Sequence, residues 1–183
     1  MYIWTGIHLD DQLADLRRCA QAATDALGTP NSSLLFPLHV SLRISFDIDD
    51  ALAPAAVDMI TDVLRSAEAF TMLPQQIEQM GDNIVWLSIA PNDTLTRLHE
   101  TLVSRMQASF GVPPHPFDMD YRYHASLFMG ERADEAYALL KDAPVPAALT
   151  AQKFVIGVSE TGQPEAYRIV KEITAPGGCF NQA

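Results

Sequence analysis

The sequence predicts a bilobal α+β fold in which two pseudo-symmetric antiparallel β-sheets form a central cleft and helices pack on their outer faces. Three observations predict it. The tetrapeptide His39-Val40-Ser41-Leu42 is echoed by His124-Ala125-Ser126-Leu127, the copies lying close to half of the 183-residue chain apart. Around the first copy, Leu38, Val40, Leu42 and Ile44 alternate with His39, Ser41 and Arg43. Around the second, Tyr123, Ala125 and Leu127 alternate with Arg122, His124 and Ser126. That is strand spacing, which puts the histidine and serine of each copy on one face and their apolar neighbours on the other. Strand-like and helix-like runs also follow one another in the same loose order in the two halves, the pattern of an α+β protein.

Residues 2–9 predict a strand. Asp10 or Asp11 can cap a helix whose apolar residues Leu13, Leu16, Ala20, Ala23 and Leu27 recur at helical intervals up to Gly28. Turn-forming residues at 28–33 break it. The first motif strand, 38–46, ends in an acidic turn at 47–50, which lacks the recurrent oxygen ligands of a calcium loop and reads as solvated. Pro54 suits a first helical turn, and Val57, Ile60, Leu64 and Ala67 carry that helix. Strand-like runs at 70–80 and 84–89 flank Gly81-Asp82-Asn83, which is hairpin chemistry. In the second half, Asn92 or Asp93 can cap a helix through Leu95, Leu98, Leu102 and Met106 that stops at Gly111. A proline-rich connector at 112–116 leads to the second motif strand, 121–129. A helix at 133–142 and strand-like runs at 151–158 and 166–173 complete the order.

Composition narrows the function classes. With 48% hydrophobic and 19% charged residues the chain is globular, and residues 1–183 are expected to form one domain of two lobes with one motif each. The opening residues meet acidic side chains at once and read as a strand, not a signal peptide. No run reaches membrane-spanning length. Cys19 and Cys179 offer neither a metal spacing nor a disulfide framework, so a cytoplasmic monomer is expected. A formal net charge of −11 weighs against DNA or a long nucleic-acid track, because such binding rests on many cations meeting phosphates. A small phosphodiester, a nucleotide or an RNA terminus needs only a few local donors.

Two histidines in one cleft point to acid–base chemistry. The unperturbed imidazole titrates near about 6.5, so one can be held neutral and the other protonated around neutral pH. Displacement at phosphorus uses that pairing: a base deprotonates the attacking hydroxyl or water, and an acid protonates the leaving oxygen. Ser41 and Ser126, two residues from each histidine on the same face, can donate to the non-bridging phosphate oxygens. Neither a metal nor a cofactor is required. Two rival readings use the same residues. One is a non-catalytic module that binds a nucleotide or phosphate. The other is a metallohydrolase with the histidines as ligands, against which stands the lack of a third ligand at a matching spacing.

The doubled pattern of histidine, apolar residue, hydroxyl residue and apolar residue resembles the two-histidine (2H) phosphoesterase superfamily, which includes the 2′-5′ RNA ligases and cyclic phosphodiesterases. The resemblance spans almost the whole chain. It implies metal-independent cleavage, or its reversal, at a 2′,3′-cyclic phosphate or a 2′-5′ linkage, with His39 and His124 as acid and base and Ser41 and Ser126 as phosphate ligands. Both hydroxyl positions are serine where many members have threonine, which leaves the donor chemistry unchanged. The same two proton carriers serve hydrolysis, ligation and transfer.

Periodicity extends the site. Strand alternation places Arg43 beside the first motif, and Arg122 with Phe128 beside the second, all facing the cleft. The arginines would supply charge to the phosphate, and Phe128 could stack on a base. His99, next to Glu100, reads as a solvated helix residue, and His8 and His115 as structural. Trp4 and Trp86 read as core. The loops at 28–37 and 112–117 are expected to shape specificity.

Overall fold

The computed structural model describes residues 1–176, which leaves Cys179 outside the described residues. Among the described residues, nine strands and four α-helices follow one another along the chain. They are β1 (Tyr2–His8), α1 (Ala14–Leu27), β2 (His39–Asp47), α2 (Ala53–Arg65), β3 (Phe70–Met72), β4 (Pro74–Met80), β5 (Ile84–Ile89), α3 (Asp93–Phe110), β6 (His124–Met129), α4 (Ala133–Leu140), β7 (Leu149–Ala151), β8 (Lys153–Ser159) and β9 (Arg168–Thr174). The run expected as one strand at 70–80 divides at Leu73, because β3 leaves to pair with β7 while β4 pairs with β5. No helix among the described residues is long and apolar enough to cross a membrane.

Helix ends follow local chemistry. Asn92 caps α3 by accepting from the Leu95 amide at 2.8 Å, and Gly28 and Gly111 end α1 and α3 in the left-handed region at φ 61° and 68°. Asp10 does not cap α1, whose cap position is Leu13. Its carboxylate instead accepts the Leu38 amide at 2.7 Å and Arg17 at 3.1 Å, which ties the start of the first motif strand to the end of β1.

The bilobal α+β architecture is present, but the lobes are not the two halves of the chain. One large antiparallel sheet has the order β2-β1-β8-β9 and the second β4-β5-β6, with β3 and β7 forming a separate two-stranded pair. The last hairpin therefore completes the sheet begun by the first two strands. Helix α1 follows β1 yet packs on β6 and α4, and α3 follows β5 yet packs on β2 and α2. Each sheet is thus covered by one helix of its own half and one from the other. The two lobes share a contiguous apolar core that includes Ile7, Val40, Leu42, Leu102, Ala125 and Leu127.

Both motif strands carry an extra residue just after the serine, at equivalent places, and β2 carries a second one between the Ile3 and Thr5 pairings. In β2, Gly6 faces Ser41 but Thr5 faces Arg43, so Leu42 is extra. In β6, Trp86 faces Ser126 but Val85 faces Phe128, so Leu127 is extra. These are β-bulges, and each reverses the inward and outward alternation beyond the serine. A bulge frees a carbonyl from the ladder, and a polar side chain from the other half takes up each one. His99 Nδ1 donates to Leu42 O at 2.8 Å, and Asn31 Nδ2 donates to Leu127 O at 3.0 Å. Asn31 Oδ1 also accepts the Met129 amide at 3.0 Å, so one side-chain amide stands in for a strand on both sides of Phe128. His99 is therefore buried, not solvated. It lies on the stripe of Leu95, Leu98 and Leu102 that faces β2.

Asn31→Ala strips the partners from buried backbone groups and is expected to lower unfolding stability by about 2 kcal/mol. Urea denaturation measures this, and an unchanged midpoint would show that the bulge holds itself.

Candidate active site

The bulged strands β2 and β6 touch each other across the lobes, and this contact brings the two motifs together. His39, Ser41, His124 and Ser126 line one cavity of about 270 Å³. Its remaining walls come from Trp4 on β1, Ile44 and Ser45 on β2, Ile84 on β5 and Met129 on β6, with Ser32, Ser33 and Phe36 from the loop before β2 and Gly162, Pro164 and Tyr167 from the segment before β9.

Both imidazoles are fixed in the same way. His39 Nδ1 donates to Pro37 O at 2.7 Å, and His124 Nδ1 donates to Arg122 O at 2.6 Å, each carbonyl lying two residues earlier. The proton of the neutral ring is thereby held on Nδ1, leaving Nε2 of each histidine to accept or deliver a proton. A tryptophan backs each ring: Trp4 meets His39 nearly edge-on at 4.4 Å between centroids, and Trp86 lies against His124 at 4.1 Å. Both tryptophans are buried, yet both touch the site.

Trp4 fits because of two glycines. A β-carbon at Gly6 would stand 2.8 Å from the indole, and one at Gly157 2.9 Å. Trp4 Nε1 donates to Ser41 Oγ at 3.0 Å, which leaves the serine proton available to a ligand. The loop before His39 is held as firmly: Arg17 donates to Phe36 O at 2.9 Å and Leu34 O at 3.0 Å while bonding Asp10. Tyr121 Oη donates to Ser41 O at 3.0 Å.

A family model described as the 2′-5′ RNA ligase superfamily matches residues 5–163, which include both motifs. The chain belongs to the 2′-5′ RNA ligase superfamily. As a member it is a two-histidine phosphoesterase in the broad sense. The fold agrees with solved structures of low sequence identity. TT0787 of Thermus thermophilus superposes with a TM-score of 0.70 at 15% identity, covering 97% of this chain and 99% of that one. Escherichia coli LigT in apo form gives 0.60 at 15% identity, covering 94% and 96%. Kluyveromyces marxianus Usb1 gives 0.50 at 11% identity, covering 92% and 97%. A search of curated protein sequences finds no match.

Within this superfamily fold, three expected site residues lie elsewhere. Arg43 is buried on the core side, paired with Asp118 at 2.9 Å and donating to Pro113 O at 3.2 Å. Phe128 is fully buried in the core. One cause serves both: the bulges at Leu42 and Leu127 turn these residues inward and bring Ile44 and Met129 to the cavity in their place. The Arg122 side chain extends to solvent, 4.0 Å from Asp120, and what it offers the site is its carbonyl. Of the two loops expected to shape specificity, 28–37 supplies Ser32, Ser33 and Phe36, whereas 112–117 packs behind β2 on Arg43. His8 pairs directly across from His39 and sits 3.5 Å from Asp10, outside the cavity lining. His115 accepts from the Phe117 amide at 3.2 Å and caps a short turn. Besides Ile44, Ile84 and Met129, periodicity missed Trp4, Phe36 and Tyr167 as site residues. Gly6 was the available signal for Trp4, since a glycine inside a strand marks close approach.

Burial pushes His39 down to about 4, opposed by the hydrogen bond to Pro37 and reinforced by the charge of His124. Burial also lowers His124, with the Arg122 carbonyl opposing. Both rings are therefore neutral in the empty site at neutral pH. The unfolded chain binds these protons more readily than the native one, so the contribution is fully present above about 6.5 and is lost as pH falls towards the folded value. Unfolding stability should thus decrease from pH 6.5 to pH 4, and His39→Asn should flatten that slope. Chemical denaturation across this range measures it, and identical slopes in the two proteins would contradict it.

Proposed function

We propose that this protein is a metal-independent phosphoesterase that hydrolyses, or reversibly joins, 2′,3′-cyclic phosphate or 2′-5′ phosphodiester bonds of nucleotides or RNA ends. The observation that carries this reading is the doubled arrangement in one cavity: two imidazoles with Nδ1 committed to backbone carbonyls, each beside a serine hydroxyl. Nucleotide substrates gain support from E. coli LigT, crystallised with 3′-AMP, with ATP and with NADP+.

The chemistry assigns unequal roles to the histidines. His39, the more strongly depressed, stays unprotonated and takes the proton from the attacking water. That oxygen bonds to phosphorus as the bond to the 2′ or 3′ oxygen breaks, and His124, protonated, gives its proton to the leaving oxygen. Charge accumulates on the non-bridging oxygens, where Ser41 and Ser126 donate hydrogen bonds. The Trp4 indole keeps the Ser41 proton turned towards the ligand. Microscopic reversibility exchanges the two roles for ligation. A bound phosphate anion favours the protonated form of whichever imidazole acts as acid.

Two outcomes follow for the purified protein acting on a 2′,3′-cyclic nucleotide. His39→Ala and His124→Ala should each lower kcat by about 10²–10⁴-fold with circular dichroism unchanged. The wild-type profile of kcat/KM should be bell-shaped, with its maximum below the ordinary histidine value of about 6.5, because both free-enzyme values are lowered. Retained activity in either variant, or a profile that rises steadily into alkali, would remove the proposal.

A further inference from the structure

Charge matching at this cavity reaches further than the bond type. The two histidines supply one positive charge when one of them is protonated, which equals the single negative charge of a phosphodiester. Beyond the histidines and serines, the wall consists of Trp4, Phe36, Ile44, Ile84, Met129 and Tyr167 among its larger side chains. The additional hydroxyls are engaged, apart from one proton of the Ser45–Tyr167 pair. Ser32 Oγ donates to Met129 O at 3.2 Å, Ser33 Oγ donates to Asn31 Oδ1 at 2.6 Å, and Ser45 and Tyr167 bond each other.

The chain has 12 lysines and arginines, every one within residues 1–176, and among the described residues none lines the cavity. Arg17 is held by Asp10 and two loop carbonyls and Arg43 by buried Asp118, while Arg122, two residues before His124, and Arg168, next to Tyr167, are exposed and stand outside the cavity lining. A second phosphate within the cavity would leave water for a largely aromatic and aliphatic wall that supplies no cation and, beyond one hydroxyl of the Ser45–Tyr167 pair, no uncommitted donor, which is unfavourable. Outside it, that phosphate would meet a protein with a net charge of −11.

Building on the phosphoesterase reading, we infer that the site selects a phosphodiester with a single negative charge on an otherwise uncharged organic group. The substrate class is a nucleoside 2′,3′-cyclic monophosphate without a 5′-phosphate, in preference to 5′-phosphorylated nucleotides, nucleotide diphosphate sugars and internal or terminal positions of an RNA chain. The aromatic rings of Phe36 and Tyr167, 5.3 Å apart, give the uncharged part an apolar surface to rest on.

The test compares adenosine 2′,3′-cyclic monophosphate with the same compound carrying a 5′-phosphate, at fixed pH and ionic strength, by kcat/KM and by titration calorimetry. A preference of about tenfold or more for the uncharged 5′ end is expected, one uncompensated charge being enough for a factor of that order. Ile44→Lys, which places an ammonium in the cavity wall, should narrow the ratio. Equal efficiencies, or a preference for the 5′-phosphate, would overturn the charge rule and leave the phosphoesterase reading standing. Binding without turnover would contradict the catalytic reading, while the ratio of Kd values still decides the charge rule. Failure of both compounds to bind would overturn both.

Discussion

In both motif strands the imidazole turns back on its own chain, and its Nδ1 donates to the carbonyl two residues earlier. The chemistry of the site depends on that bond. It fixes the tautomer, orients the ring and leaves Nε2 as the nitrogen that can carry a proton. It also works locally, so each half of the cavity is built by its own strand. The strand must then be held where it starts. For His39 this falls to Asp10, which takes the Leu38 amide, and to Arg17, which spans the loop carbonyls. A residue placed like a helix cap is used instead as an anchor for the site.

The second constraint is the bulge after each serine. A regular strand would have sent Arg43 and Phe128 into the cavity and Ile44 and Met129 into the core. The extra residue exchanges them, which removes a guanidinium from the site and leaves an apolar wall. The interleaving of the lobes makes these bulges possible, because the residues that take the freed carbonyls come from the opposite half: Asn31 reaches β6 and His99 reaches β2. The charge selectivity inferred for the substrate therefore follows from backbone geometry as much as from composition.

The two motifs, the order of strands and helices, the Asn92 cap, the Gly28 and Gly111 terminators and the hairpin at 81–83 were legible because each rests on local chemistry. The bulges were not, since Leu42 and Leu127 are ordinary strand residues and one inserted residue leaves no mark in composition. The pairing of β8 with β1 joins distant parts of the chain and has no local signal. His99 was legible in principle, four residues after Leu95 and three before Leu102, but its acidic neighbour suggested solvent. Phe36 and Tyr167 stand in loops, where periodicity carries no information.

The account rests on two neutral imidazoles that present the same nitrogen. Long-range proton–nitrogen correlation spectra of the histidine rings measure this most directly. They should place the proton of both His39 and His124 on Nδ1 at pH 7, with His39 titrating near about 4. A proton on Nε2 of either ring, or a His39 that titrates at or above the ordinary histidine value, would contradict it.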